Sequence, residues 1–199
     1  MLIRKLFKFE GAHIVRDCSS DRCKKSIHGH SYIVEIFLSS NKVDNGQMVV
    51  DFGLLKSNVK DVIDSFDHAY SMWDRETDEY KNFMKKHSER WIEMPVSPSA
   101  EMYSLMFYAI IHNIIHKTVW NNGEKNVLLH SVRVHETATG WAESFYADYD
   151  EIWQGNYDLS DIKISDGIKN EWADPKMWDN ILDLNYTFVN PVVELKYQK

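Results

Sequence analysis

The run C-K-K-S-I-H-G-H-S-Y, Cys23 to Tyr32, sets two histidines two apart directly behind a basic, cysteine-bearing loop. On a strand, residues two apart face the same side, so His28 and His30 project in parallel, and Gly29 leaves room for close backbone or ligand approach. Catalytic zinc takes three protein donors and keeps a position open. His13, on the preceding strand-like stretch, is the third candidate. Cys23 suits a metal ligand, or a nucleophile or base, because Lys24, Lys25 and a bound cation would each draw its thiol toward the thiolate. Asp67 and His68 are adjacent, a carboxylate that can orient an imidazole for proton transfer near neutral pH. Glu136 continues the apolar parity of a strand, where a buried carboxylate needs matching donors. A planar heterocycle with an exocyclic amine and a ring N–H supplies them as a bidentate pair. His112 and His116 stand four apart among isoleucines, with Asn113 where a helical metalloprotease motif needs glutamate, and a packing role is expected of them.

The elements that must position these residues follow from hydrophobic period. Alternation from Leu2 to Val15 and from Ser31 to Ser39 predicts two strands. Asp44-Asn45-Gly46 predicts a tight turn that returns Met48 to Phe52 as a hairpin partner. Leu55, Val59, Val62 and Phe66 fall at helical spacing, and a second helix begins around Pro98 with Met102, Leu105, Met106, Ala109, Ile110 and Ile114 on a wide apolar face. Val127 to Glu136 reads as a strand in which Leu128, Val132 and Val134 share one parity, and Trp141 to Tyr149 reads as its hairpin partner. The order is strand, strand, helix, helix, strand, strand. Residues 71–97 read as a polar insertion with partial helix, and 151–199 as an extension without a clean period.

Composition sets limits on partners. At 199 residues with 44% hydrophobic content, the chain has enough apolar material for one domain of ordinary size. The net charge of −7, with 30 acidic against 23 basic side chains, argues against nucleic acid as the main partner. Arg16, Arg22, Lys24 and Lys25 nevertheless form a local basic cluster able to hold a small anion. No signal peptide and no apolar run of membrane-spanning length is seen, and two cysteines, Cys18 and Cys23, are too few for a disulfide framework. A cytoplasmic, soluble protein without membrane contact is expected.

Six segments, taken together, resemble the 6-pyruvoyltetrahydropterin and 6-carboxytetrahydropterin synthase family: F-K-F-E-G-A-H, C-x-x-x-x-H-G-H-S-Y, V-V-D-F-G-L-L-K, F-D-H-A-Y, S-P-S-A-E and V-R-V-H-E-T-A-T-G-W-A-E. They occur in the family's order between residue 3 and about residue 148. The resemblance implies an α+β tunnelling fold, an antiparallel four-stranded sheet with two helices on one face that assembles into a multisubunit barrel. It further implies a homohexamer with active sites between subunits. Residues 1–150 would form the synthase domain, with the insertion at 71–97 and the extension at 151–199 outside the family pattern. By the same resemblance His13, His28 and His30 match zinc ligands, Cys23 the catalytic thiol, Asp67 and His68 the proton-relay pair, and Glu136 the carboxylate that anchors the pterin. Glu101 matches the glutamate of the P-T-S-E motif, with Ser99 and Ala100 replacing its threonine and serine. The implied substrate is 7,8-dihydroneopterin triphosphate, and charge and position alone make Arg16, Arg22, Lys24 or Lys25 the expected holders of its phosphates. The compact F-E-G-A-H and F-D-H-A-Y motifs favour the carboxy branch, which releases triphosphate and acetaldehyde on the way to queuosine-type deazapurines. The alternatives are the pyruvoyl branch and a non-catalytic zinc- or pterin-binding barrel. Four residues separate Cys23 from His28, a spacing between those of the two branches, and Cys18 is the second candidate thiol.

Overall fold

The computed structural model describes residues 1–191. Its first half runs β1 (Leu2–His13), α1 (Asp21–Lys25), β2 (His28–Ser39), α2 (Gly53–Lys56), α3 (Asn58–Asp64), β3 (Ala69–Trp73), α4 (Asp78–His87), β4 (Trp91–Met94) and α5 (Ala100–His116). There follow β5 (Thr118–Trp120), β6 (Leu128–His135), β7 (Trp141–Phe145) and α6 (Tyr146–Asp148), which passes into a π-helical turn at Tyr149–Trp153. The remainder holds β8 (Lys163–Ile164), α7 (Asp166–Lys169), α8 (Met177–Leu182) and β9 (Phe188–Asn190).

The main sheet is mixed and seven-stranded, in the order β7-β6-β2-β1-β3-β4-β8, rather than antiparallel and four-stranded. Its antiparallel half, β7-β6-β2-β1, is the expected one. The difference lies in the segment read as an insertion: β3 and β4 run parallel, connected by α4, and β3 pairs in parallel with the end of β1. These strands are only five and four residues long and buried without alternation, so their sequence carries little strand period.

Two further expectations are corrected. Met48 to Phe52 forms no strand, because both edges of β2 are taken, by β1 and β6. The Asp44 carboxylate instead receives the Gly46 and Met48 amides, and the loop sends Val49 and Val50 into the core. In β6 a bulge opposite Phe37 and Leu38 shifts the pairing from Ser131 to Leu129, so Leu129 is buried and Leu128 is 61% exposed. Beyond the bulge Val132 and Val134 face inward as expected.

One face of the sheet carries the core. Phe7 and Phe9 of β1 and Tyr32, Val34, Ile36 and Leu38 of β2 pack against α3 and α5. Twelve of the seventeen residues of α5 are buried, all round the helix, which one sheet face cannot achieve. The extension covers the rest: Trp153, Trp172, Trp178, Met177 and Ile181 join the same core. Trp172 donates its indole N–H to Ser65 Oγ at 2.9 Å, Asn113 and Lys117 donate to carbonyls of α8, and β8 adds to the sheet edge. Trp178→Ala is therefore expected to destabilise the protein by about 3–5 kcal/mol, read from urea unfolding. A loss below 1 kcal/mol would show that the extension is only draped on the surface.

Candidate metal and catalytic site

The three histidines meet where β1 ends and β2 begins. His13 and His28 are direct cross-strand partners, and His30 lies two residues further along the same face as the buried Tyr32 and Val34. Their ring centroids are 4.5 to 5.2 Å apart, and their ligand atoms fall within 4.8 Å of one another. Gly29 is required here, since a Cβ on it would stand 2.8 Å from the Gly11 carbonyl oxygen of the neighbouring strand.

Ring orientation is set by backbone carbonyls. His13 Nδ1–H donates to the Pro98 carbonyl at 2.5 Å and His28 Nδ1–H to the Ser26 carbonyl at 3.0 Å, which leaves Nε2 of each ring as the lone-pair nitrogen, that of His13 lying 3.3 Å from the Tyr32 hydroxyl. His30 Nε2 is buried and has no hydrogen-bond partner among the described residues. An orphaned buried nitrogen beside two fixed imidazole acceptors is the donor set expected for a transition metal. Tyr32 and Tyr103, both buried, form the wall behind His13. Pro98 and Tyr103 lie far from the histidines in sequence and carried no signal. Tyr32, two residues past His30, was readable from parity alone.

Burial pushes the His13 imidazole down from its ordinary 6.5 to about 4, offset in part by the Pro98 bond and reinforced by His28 and His30. Burial also lowers His30, against the pull of Glu136. Both rings are thus neutral and ready to ligate at neutral pH. The sign for stability follows: between pH 6.5 and about 4 the unfolded chain binds a proton that folded His13 refuses, so stability is complete above 6.5 and falls with pH through that window. The metal-free protein should lose about 2 kcal/mol from this group between pH 7 and 5. Urea midpoints at the two pH values, compared with those of His13→Gln, measure it; equal pH slopes would refute it.

Cys23 sits half-buried on α1, in the loop that joins His13 to His28, and its carbonyl accepts from Val15 N–H at 3.1 Å. Cys18 lies outside that helix, its thiol donating to Ser20. Glu136 projects from the end of β6 toward the imidazoles, with Oε1 3.6 Å from His13 Nε2 and 3.7 Å from His30 Nε2. Ser99 caps α5 by accepting the Met102 amide, and Glu101 is exposed in the first turn of that helix.

Asp67 and His68 form the expected pair, His68 Nδ1–H donating to Asp67 Oδ2 at 2.8 Å. Asp67 also accepts the Glu10 amide at 2.7 Å, and these two bonds, with nearby Arg90, hold its carboxyl below the usual range despite burial. His68 has φ +53°, a left-handed conformation that costs a histidine energy and is fixed by its amide bond to the Glu10 carbonyl. Its ring is 75% exposed and opens on a cleft of about 530 Å³. The β1–β2 residues Glu10, Ala12, Gly29 and Ser31 of that cleft have the parity facing away from the triad, although Gly11 and His30 also border it. His68 and His30 thus line one cleft, most of whose other β1–β2 residues have the parity opposite to the triad.

Of the basic residues, Arg16 is already engaged: its guanidinium pairs with Glu76 at 2.7 Å and donates to the Lys24 carbonyl at 2.8 Å. Lys24 and Lys25 each lie 3.0 Å from exposed Asp21. His112 and His116 have parallel rings 6.0 Å apart, and His112 packs against Tyr108 and Tyr149. No described helix is long and apolar enough to cross a membrane.

The family model for 6-pyruvoyl tetrahydropterin synthase matches residues 2–146. The chain belongs to this family. A 6-carboxy-5,6,7,8-tetrahydropterin synthase of Helicobacter pylori strain J99 is 40% identical over 183 residues, 92% of each chain. An alignment of that length runs well into the extension, so this relative shares it. Among solved structures, an uncharacterized protein from Wolinella succinogenes aligns at TM-score 0.60 and 20% identity over 73% of this chain and 97% of its own. The Plasmodium vivax 6-pyruvoyl tetrahydropterin synthase aligns at 0.51 and 19% identity over 72% and 97%. These two share the synthase family's fold.

Proposed function

We propose that this chain is a zinc-dependent 6-carboxy-5,6,7,8-tetrahydropterin synthase. It would convert 7,8-dihydroneopterin triphosphate to 6-carboxytetrahydropterin with loss of triphosphate and acetaldehyde, as a cytoplasmic step toward queuosine-type deazapurines. The observation that carries this is the convergence of three oriented imidazoles in a chain 40% identical, over 92% of its length, to a relative of that name. His13, His28 and His30 hold the ion, and zinc when bound supplies a Lewis acid that makes the substrate's side-chain hydroxyls more acidic. The protein's own groups move the protons. Cys23 acts as thiolate base, and His68, its Nδ1–H fixed by Asp67, offers a basic Nε2 to receive and return a proton. Glu136 accepts from the pterin's exocyclic amine and ring N–H. Glu101 and Ser99 border the ligand at the start of α5, Ser99 Oγ keeping its own O–H to donate while it caps the helix.

The working assembly is a homohexamer in which residues 1–150 form the synthase unit and 151–199 the extension, whose described residues, through 191, cover α5. Most β1–β2 residues lining the cleft beside His68 have the parity opposite to the triad, which supports a site completed by a second copy. Lys24 and Lys25 face the triphosphate, and Arg16 positions Lys24 through its carbonyl. Reversing both lysines to glutamate should raise KM roughly tenfold or more with little change in kcat; an unchanged KM would remove them from the phosphate site. The function itself is tested by incubating zinc-loaded protein and a chelated control with dihydroneopterin triphosphate. Acetaldehyde and a carboxylated tetrahydropterin are expected by mass spectrometry. A pyruvoyl product would reassign the branch, and zinc-independent silence would leave a binding protein.

A further inference from the structure

Glu136 leaves β6 on the parity of Val132 and Val134, which aims its carboxylate at the end of the core where the imidazoles meet. Its Oε1 stands 3.6 Å from one Nε2 and 3.7 Å from another, beyond hydrogen-bond length for either. Two donors at zinc-ligand distance from one tetrahedral ion lie about 3.4 Å apart. The two distances come close to that spacing, and Glu136 approaches His13 and His30 but not His28. His30 Nε2, buried and partnerless, is one of the two nitrogens so approached.

We infer that Glu136 is the fourth protein donor of the metal centre while no pterin is bound, closing the His13–His30 edge, and that the arriving pterin ring takes it away. The inference rests on the triad being the metal site. The side chain is 31% exposed, so part of it is open to an incoming ring. Both partners ask for the same thing, an anionic oxygen, so they compete for it. Release of Glu136 by the ring then frees a coordination position when the substrate's hydroxyls arrive, and the resting centre stays closed to adventitious ligands.

Cobalt(II) titration of the metal-free, full-length protein tests this without turnover. Wild type should bind cobalt with an intense tetrahedral visible spectrum. Glu136→Gln, which keeps volume and polarity, should bind roughly tenfold or more weakly with shifted bands. Unsubstituted pterin, which lacks side-chain hydroxyls, should move the wild-type bands toward those of the variant. Equal affinity and identical bands in the two proteins would overturn the assignment of Glu136 and leave the triad's role intact. Wild-type bands indifferent to pterin would overturn the displacement. If His28→Ala and wild type take up cobalt alike, the metal reading of the triad itself fails, and this inference with it.

Discussion

His28→Ala is expected to abolish stoichiometric zinc binding and to lower turnover by about a thousandfold or more, the several kcal/mol that a Lewis-acid ion supplies. Among the three ligands His28 gives the cleanest test. His13 is fully buried and bonded to Pro98, so its loss would disturb the packing of α5 against the sheet. His28 is half-buried, and its other ring nitrogen is held only by the nearby Ser26 carbonyl. The variant should therefore fold, with circular dichroism and thermal midpoint close to those of metal-free wild type. Zinc retained at one per chain, together with turnover within tenfold of wild type, would sink the assignment.

The second large effect is one of complementation. His68→Asn keeps a residue type tolerant of the left-handed backbone and removes the imidazole proposed to receive and return the proton, so turnover should fall by about 100- to 10,000-fold. His28→Ala is inactive for a different reason. If triad and dyad of one site come from different copies, as proposed, subunits mixed at equal ratio after denaturation and reassembly should regain about a quarter of wild-type activity. Mixed assemblies no more active than their parents would mean that each protomer completes its own site. Size-exclusion chromatography of the mixture checks that both variants assemble.

The chemistry of this protein was largely legible as local pattern. His28 and His30 had to share a face because strand period is two, and their parity with Tyr32 and Val34 sent them to the buried side. Glu136 followed from the same rule applied to Val132 and Val134. The bulge in β6 did not, because a one-residue slip leaves hydrophobicity almost unchanged while reversing the side on which Leu128 falls. The hairpin expected after Gly46 failed for a reason outside the segment, since β6, nearly a hundred residues on, occupies the edge of β2.

By itself the sequence determined which side chains are present to do chemistry, and which of them share a strand face, for both depend on identity and period alone. Tertiary structure decided the rest. It brought the Pro98 carbonyl to His13, fixing which nitrogen is free, and turned residues 71–97 into a parallel extension of the sheet. It also folded the tryptophans of the extension into the core around α5 and tied His68 to β1 through the Glu10 carbonyl. Each of these joins segments distant along the chain, where free energy comes from burying surface and satisfying polar groups across space rather than from local preference.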